Sequence, residues 1–150
     1  MLTETFDIVE ANLRDLGELR KLEKDCFEVD AWPLVDLIAV LSFPGIVRLK
    51  AVIDGKMAGI IAGDLRRSAD TAWIVTLGVR PMYRRLGIAR RLLRECEKRL
   101  PVQKYRLSVR RSNWPALALY ESEGYQQVDV WHHYYIDDED GLVLEKINTP

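Results

Sequence analysis

Apolar residues change their spacing several times along this chain, and each change marks an element. Phe6 to Glu10 reads as a short strand, after which Leu13, Leu16, Leu19, Leu22 and Cys26 recur at three and four, as in an amphipathic helix. That pattern breaks from Cys26 to Trp32. Pro33 suits the first turn of a second helix running through Leu41, which Pro44-Gly45 ends. Ile46 to Ile53 and Met57 to Leu65 are apolar runs joined at Asp54-Gly55, a dipeptide that supplies the positive φ angles of a tight hairpin turn. Thr71 to Val79 adds a third long strand across the polar segment Arg66 to Asp70, so an antiparallel meander is predicted, stopped by Pro81.

From Gly87 the period becomes helical. Ile88, Leu92, Cys96 and Leu100 form one stripe beside Ala89 and Leu93, with Arg90, Arg91, Arg94, Glu95 and Glu97 outside it. Tyr105 to Arg110 alternates as a strand, and Asn113 caps a helix whose first turn holds Pro115 and which Gly124 closes. Tyr125 to Tyr135 and Leu142 to Ile147 are predicted as strands joined by the acidic turn Asp137 to Gly141. Hairpins first and strand–helix–strand–helix afterwards indicate an α+β or mixed-sheet α/β domain.

Composition narrows the picture by exclusion. At 150 residues, 48% hydrophobic and 30% charged, residues 1–150 are expected to form one globular domain. A net charge of -1 supplies no general basic field for nucleic acid or an anionic membrane. The two cysteines, Cys26 and Cys96, fall on apolar helix faces and read as core. The opening residues mix acids with apolar residues instead of showing a basic start and an apolar block, and no apolar run reaches the roughly 18 residues of a membrane span. A cytoplasmic location is expected, with no membrane partner and no metal.

The candidate chemistry sits between the strand ending at Val79 and the helix opening near Gly87. A helix start leaves about four N–H groups unpaired and carries partial positive charge, so an anion bound there satisfies both. Gly87 and the small Ala89 let phosphate oxygens approach the backbone, and six arginines between Arg80 and Arg94, with no acid among them, deepen the positive potential. On this spacing alone the segment is either a phosphate-binding loop or a solvated, arginine-rich helix start. It is neither a Walker loop nor a dinucleotide fingerprint.

Arg84-x-x-Gly87-x-Ala89 resembles the Arg/Gln-x-x-Gly-x-Gly/Ala loop of the GNAT superfamily of acetyl-CoA-dependent N-acetyltransferases. The resemblance runs from about Ile74 to Tyr135, through Thr76-Leu77-Gly78-Val79, Leu107-Ser108-Val109-Arg110, Asn113, Ala118-Leu119-Tyr120 and Gly124-Tyr125. Within that superfamily the chain is most similar to the ribosomal-protein and protein N-terminal (Nα) acetyltransferases, which share Thr-Leu-x-Val-x-Pro, Val-Arg-x-Ser-Asn, Ala-Leu-Tyr and a paired Tyr-Tyr like Tyr134-Tyr135.

The resemblance implies a GNAT fold: a seven-stranded, mixed sheet with about four helices, splaying after its fourth strand at Val79. It implies acetyl-CoA as co-substrate, with pantetheine against the backbone of Leu77, Gly78 and Val79. Arg84, Arg85, Leu86, Gly87, Ile88, Ala89 and Arg90 would line the pyrophosphate, and Asn113 and Tyr120 would reach the pantetheine arm and the sulfur. A phenol of ordinary pKa near 10 protonates a leaving thiolate of pKa about 8.5 only when placed close to it, which suits Tyr120 as general acid. Asn113 is also a helix cap, and Tyr120 also reads as a buried tyrosine with a satisfied hydroxyl.

The base is where the pattern departs. Ser108 occupies a fifth-strand position that is Glu or His in the nearest relatives, and Trp73 and Val75 occupy fourth-strand positions that are Tyr or Glu elsewhere. With the carboxylate missing, an acceptor that needs less deprotonation is favoured, hence a protein or peptide α-amine over lysine. His132 and His133 precede the tyrosine pair; adjacent strand residues point oppositely, so one of them at most, His133 by preference, is the candidate base. Phe27, Trp32, Tyr134 and Tyr135 are expected to wall the acceptor side, and Asp137 to Asp140 to form an acidic rim. Three other readings remain at this level: a small-molecule amine such as a polyamine or antibiotic as acceptor, an acyl-CoA-binding module without turnover, and a nucleic-acid binder, against which the neutral charge argues.

Overall fold

Asp54 and Gly55 take positive φ, 49° and 74°, and turn β2 (Ile46–Ile53) into β3 (Lys56–Arg66) with Ile53 opposite Lys56. The computed structural model describes residues 5–66 and 70–148; residues 67–69, the middle of the polar segment expected before the third long strand, lie outside the described residues. β1 (Asp7–Glu10) pairs antiparallel with β2, and β4 (Thr71–Val79) pairs antiparallel with β3, which completes the expected meander. Beyond it come β5 (Lys104–Arg110), β6 (Gln126–Trp131) and β7 (Gly141–Ile147). One mixed sheet results, in the order β1-β2-β3-β4-β5-β7-β6.

Among the described residues, four α-helices cover the two faces. α1 (Leu16–Phe27) and α2 (Leu34–Ser42) bury Leu19, Leu22, Leu37 and Leu41 against Met57 and Ile60. α3 (Ile88–Arg99) lays Ile88, Leu92, Leu93 and Cys96 against the opposite face with Ile61, and α4 (Trp114–Ser122) adds Tyr120. Neighbours Ile60 and Ile61 thus serve different layers, and burial on both faces is why the middle strands read as near-continuous apolar runs.

Gly63 of β3 lies directly under α3. A Cβ there would meet Leu100 Cδ1 at 2.8 Å and Cys96 Sγ at 3.0 Å. Gly63→Ala is therefore expected to overpack the core and cost about 1–3 kcal/mol, read as a lower urea midpoint with an unchanged slope.

Two boundaries differ from the sequence expectation. The sheet does not hold together as far as Val79: the parallel pairing of β4 with β5 covers only Thr71–Trp73 against Lys104–Arg106. The β3–β4 register shifts where Ala62 faces Thr76 but Gly63 faces Ile74, so Val75 is an extra residue. A bulge of this kind bends its strand, and here it coincides with the point where β4 parts from β5. The strand expected over Tyr125 to Tyr135 is also shorter, ending at Trp131. His132 to Tyr135 lie instead in an irregular segment in which the His133 N–H donates to Asp140 and the Tyr135 ring packs under Arg110, so tertiary contacts override the β-preference of the aromatic run.

Candidate active site

The parting of β4 from β5 opens a groove enclosing about 250 Å³. Its sides are Ile74, Val75, Thr76 and Leu77 of β4 and Leu107, Ser108, Val109 and Arg110 of β5. α4 contributes Asn113, Ala116 and Tyr120, the α1–α2 connection contributes Phe27, Asp30 and Trp32, and Tyr134 and Tyr135 close the far side. Three expected donor-side residues, Leu77, Asn113 and Tyr120, thus share one cavity with all four expected acceptor-side aromatics. Past Trp73, the edge of β4 that faces β5 has no strand partner among the described residues. Backbone amides on such an edge suit a ligand that itself carries amides.

Asn113 caps α4, its side-chain oxygen accepting the Ala116 N–H at 3.3 Å, while also lining the groove. Tyr120 is 7% exposed and meets Tyr125 edge-on at 5.7 Å. Burial, with the Tyr135 phenol nearby, pushes its phenol well above the ordinary value, so the hydroxyl stays protonated as a donor.

Arg110 ties the roof together. Its guanidinium donates to both Asp30 oxygens at 2.6 and 2.8 Å, to Asp137 at 2.9 Å and to Glu139 at 3.0 Å, and lies 4.2 Å over the Tyr135 ring. This joins the α1–α2 connection to the β6–β7 connection across the groove. The acids expected as a rim are thus partly consumed in a clasp: Arg110 holds Asp137 below the ordinary carboxyl range, and Ser112 and Arg110 do the same for Glu139. Ser108 hydrogen-bonds Tyr135, whose phenol is pushed up by burial.

His133 is not where a strand would have put it. It sits exposed in a turn at φ 54°, its backbone N–H donating to Asp140 at 3.1 Å, and it is not among the groove's lining residues. His132 lies 3.6 Å from Asp140 with its side chain 73% exposed. With neither histidine on a strand, the opposite-facing argument that selected one of them does not apply.

The expected phosphate loop runs on from the end of β4. Arg85 and Gly87 both take positive φ, 68° and 80°, and the first helical bond is Arg91 N–H to the Gly87 carbonyl at 3.1 Å. The amides of Ile88, Ala89 and Arg90 therefore precede the helical ladder, as an anion site requires. The Ile88 side chain is buried core, and Leu86 is exposed. The arginines are less available than their clustering suggested. Arg80 pairs with Glu18 at 3.3 Å, and Arg90 and Arg94 both bind Glu123 at 2.7 Å, with Arg90 also reaching Ser122. The Arg90 side chain is thus drawn to the end of α4, leaving its backbone N–H as its contribution to the loop. Arg84 donates to the Val79 carbonyl at 3.2 Å.

Glu23 escaped the sequence reading. It is 2% exposed on the inner face of α1, accepts a hydrogen bond from the Trp32 N–H, and receives the Thr76 hydroxyl at 3.4 Å. Burial raises its carboxyl to about 7. The available signal was an acid four residues after Leu19 and next to Leu22, inside the apolar stripe of a helix.

Residues 16–125 match the model of the family described as the Acetyltransferase (GNAT) family. An N-alpha-acetyltransferase of Sulfurisphaera tokodaii is 39% identical over 75 residues, 47% of this chain and 45% of that protein. The N-alpha-acetyltransferase RimI of Mycobacterium tuberculosis is 34% identical over 136 residues, 89% of this chain and 86% of that protein. The crystal structure of the ribosomal-protein-S18-alanine N-acetyltransferase from Escherichia coli superposes with a TM-score of 0.87 at 27% identity, covering 97% of this chain and 96% of that one.

Proposed function

The chain belongs to the GNAT acetyltransferase family and is an N-acetyltransferase; from that premise we propose that it moves the acetyl group of acetyl-CoA onto the α-amine at the N-terminus of a protein or peptide. The observation that carries this reading is the single groove in which the unpaired edge of β4 and Tyr120 meet Phe27, Trp32, Tyr134 and Tyr135. The β4 edge accepts the amides of the pantetheine arm, and the amides of Ile88, Ala89 and Arg90 take the pyrophosphate. Aromatic side chains at the other end grip the first residues of the acceptor. The amine nitrogen attacks the thioester carbonyl, the C–N bond forms and the C–S bond breaks; the amine gives up one proton, the departing sulfur takes one from Tyr120, and exchange with solvent restores the phenol.

Two facts favour an N-terminal amine. Curated relatives that span most of the chain are named N-alpha-acetyltransferases. The fourth- and fifth-strand positions Trp73, Val75 and Ser108 carry no carboxylate or imidazole, which favours an amine that is already partly neutral. At pH 7 an α-amine of pKa about 8 is neutral about one time in ten and a lysine of about 10.4 about one time in 2,500, roughly a 200-fold difference.

The expected result is that peptides with a free N-terminus are acetylated far faster than N-terminally blocked peptides carrying one lysine, with kcat/KM measured for both at pH 7. Faster acetylation of lysine, or of a polyamine, overturns the assignment of the acceptor. Acetyl-CoA binding without transfer to any of these amines would overturn the reading as a catalyst of this reaction.

A further inference from the structure

We propose that the proton lost by the attacking amine passes through the Thr76 hydroxyl to Glu23, so that a buried acid on α1 replaces the base missing from the sheet. The inference rests on the reading of the groove as the site of acetyl transfer, and it applies to whichever primary amine is turned over.

Three observations place Glu23 in this role. Its carboxylate is buried at 2% exposure, and an acid out of water needs a reason to be there. Its Oε1 is 3.4 Å from Thr76 Oγ1, and Thr76 lines the groove between the parted strands. That distance is longer than an ideal O–H···O bond, as hydrogen bonds of unliganded catalytic sites often are before substrate tightens them. A hydroxyl can donate to a carboxylate on one side while accepting an N–H on the other, so Thr76 is the right chemistry for a relay. Finally, the carboxyl sits at about 7, raised by burial against the pull of the Trp32 amide and the Thr76 hydroxyl. A base works best when its pKa lies near the working pH.

Among the described residues, no hydrogen bond or ion pair joins Glu23 to a cation. Cys26, on its own helix, is a thiol pushed up by burial and therefore neutral, and the Arg84 guanidinium beside it hydrogen-bonds that thiol and the Val79 carbonyl. Asp15, which precedes α1, is bound to Lys50 of β2, and Arg80 after β4 is bound to Glu18 and Asp25. Asp30 is bound to Arg110, and Asp36 of α2 and Asp64 of β3 line the neighbouring cavity beside Trp32 and Val75.

The step balances. The amine N–H gives its proton to Thr76 Oγ1 as the Thr76 hydroxyl proton moves to Glu23 Oε1. The C–N bond forms, the C–S bond breaks, and the sulfur takes a proton from Tyr120. Exchange with solvent then returns the Glu23 proton and restores Tyr120.

The test is the pH profile of kcat at saturating acetyl-CoA and amine, for two acceptors whose amine pKa values differ. Wild type is expected to show an acid limb near pH 7 that stays in place when the acceptor changes. Glu23→Gln is expected to lose that limb and to lower kcat at pH 8 by about 10²-fold or more, with acetyl-CoA affinity unchanged. Thr76→Val, which leaves the acid in place, is expected to do the same, and Thr76→Ser to restore both rate and limb.

A stability difference follows independently. A carboxyl raised to about 7 from an ordinary value of 4.5 makes the folded state bind more protons in that interval, so wild type loses stability as pH rises through it and Glu23→Gln does not. Retention of the acid limb and the full rate by Glu23→Gln overturns the proposal, as does a uniform loss of rate with the limb unchanged, which is what a merely structural acid would give. If Glu23→Gln fails to fold, a Thr76→Val enzyme with wild-type rate and limb overturns it alone. A preferred acceptor other than an N-terminus would refute the acceptor assignment while leaving this result to stand or fall separately.

Discussion

Tyr120→Phe is expected to fold as the wild type does and to turn over about 10²–10⁴ times more slowly, the range for loss of a positioned general acid. The substitution removes one oxygen and keeps the ring, so the edge-on contact with Tyr125 at 5.7 Å and the burial of the side chain persist. The loss should fall on kcat while KM for acetyl-CoA changes little, because the phenol acts on charge that develops only as sulfur leaves. Thiol release in steady state measures both constants. The pH dependence carries a further expectation: burial keeps the Tyr120 phenol protonated beyond its ordinary value of 10.0, so no alkaline limb from this group appears below about pH 10. A Tyr120→Phe enzyme with a wild-type kcat would remove the phenol from the reaction.

Glu97→Ala is expected to destabilise the protein by about 3 kcal/mol or more, the low end of the cost of breaking a buried ion pair, because Lys146 keeps some contact with water. Glu97 lies 8% exposed on α3 and accepts the Tyr125 hydroxyl at 2.7 Å and the Lys146 ammonium at 2.9 Å. Its backbone carbonyl accepts the Tyr105 hydroxyl at 2.8 Å. One residue thus ties α3 to β5, to β7 and to the tyrosine just before β6. Truncation leaves a buried phenol and a partly buried ammonium without their carboxylate, and each then bears its desolvation cost uncompensated. Glu97→Gln, which keeps an oxygen for Tyr125, should lose less, and urea unfolding of the two variants checks the order. Because Tyr125 packs on Tyr120, a loosened Tyr125 should also lower kcat in Glu97→Ala.

Elements whose cause is local were legible before any fold was known. The hairpin at Asp54-Gly55, the α3 stripe of Ile88, Leu92 and Cys96, and the Asn113 cap each depend on a few neighbouring residues, and each forms as expected. Leu77, Asn113 and Tyr120, which the family resemblance singled out, line one groove. Phe27, Trp32, Tyr134 and Tyr135, expected on the acceptor side, line it too, although Tyr134 and Tyr135 do not lie on the strand expected for them.

Sequence and structure part where a charge finds its partner far away in the chain. The arginine cluster looked unopposed because its acids, Glu18 and Glu123, lie elsewhere in the sequence, and only the packing of α1 and α4 brings them in. The β6–β7 connection departs from the strand for a nearer reason: the His133 N–H donates to Asp140, seven residues on, while Arg110 of β5 holds Asp137.

What the sequence by itself determined is the succession of elements, the loop that starts α3, and the aromatic and phenolic side chains available to the site. Turn chemistry, capping and apolar period act across a few residues, so they are written where they operate. The tertiary structure alone decided where the sheet parts, which arginines are already neutralised, and that an acid on α1 stands behind Thr76. Those outcomes depend on groups separated by 80 residues for Arg110 and Asp30 and by 53 for Thr76 and Glu23. Electrostatic and desolvation energies are set by distance and burial, and neither exists until the strands have taken their order.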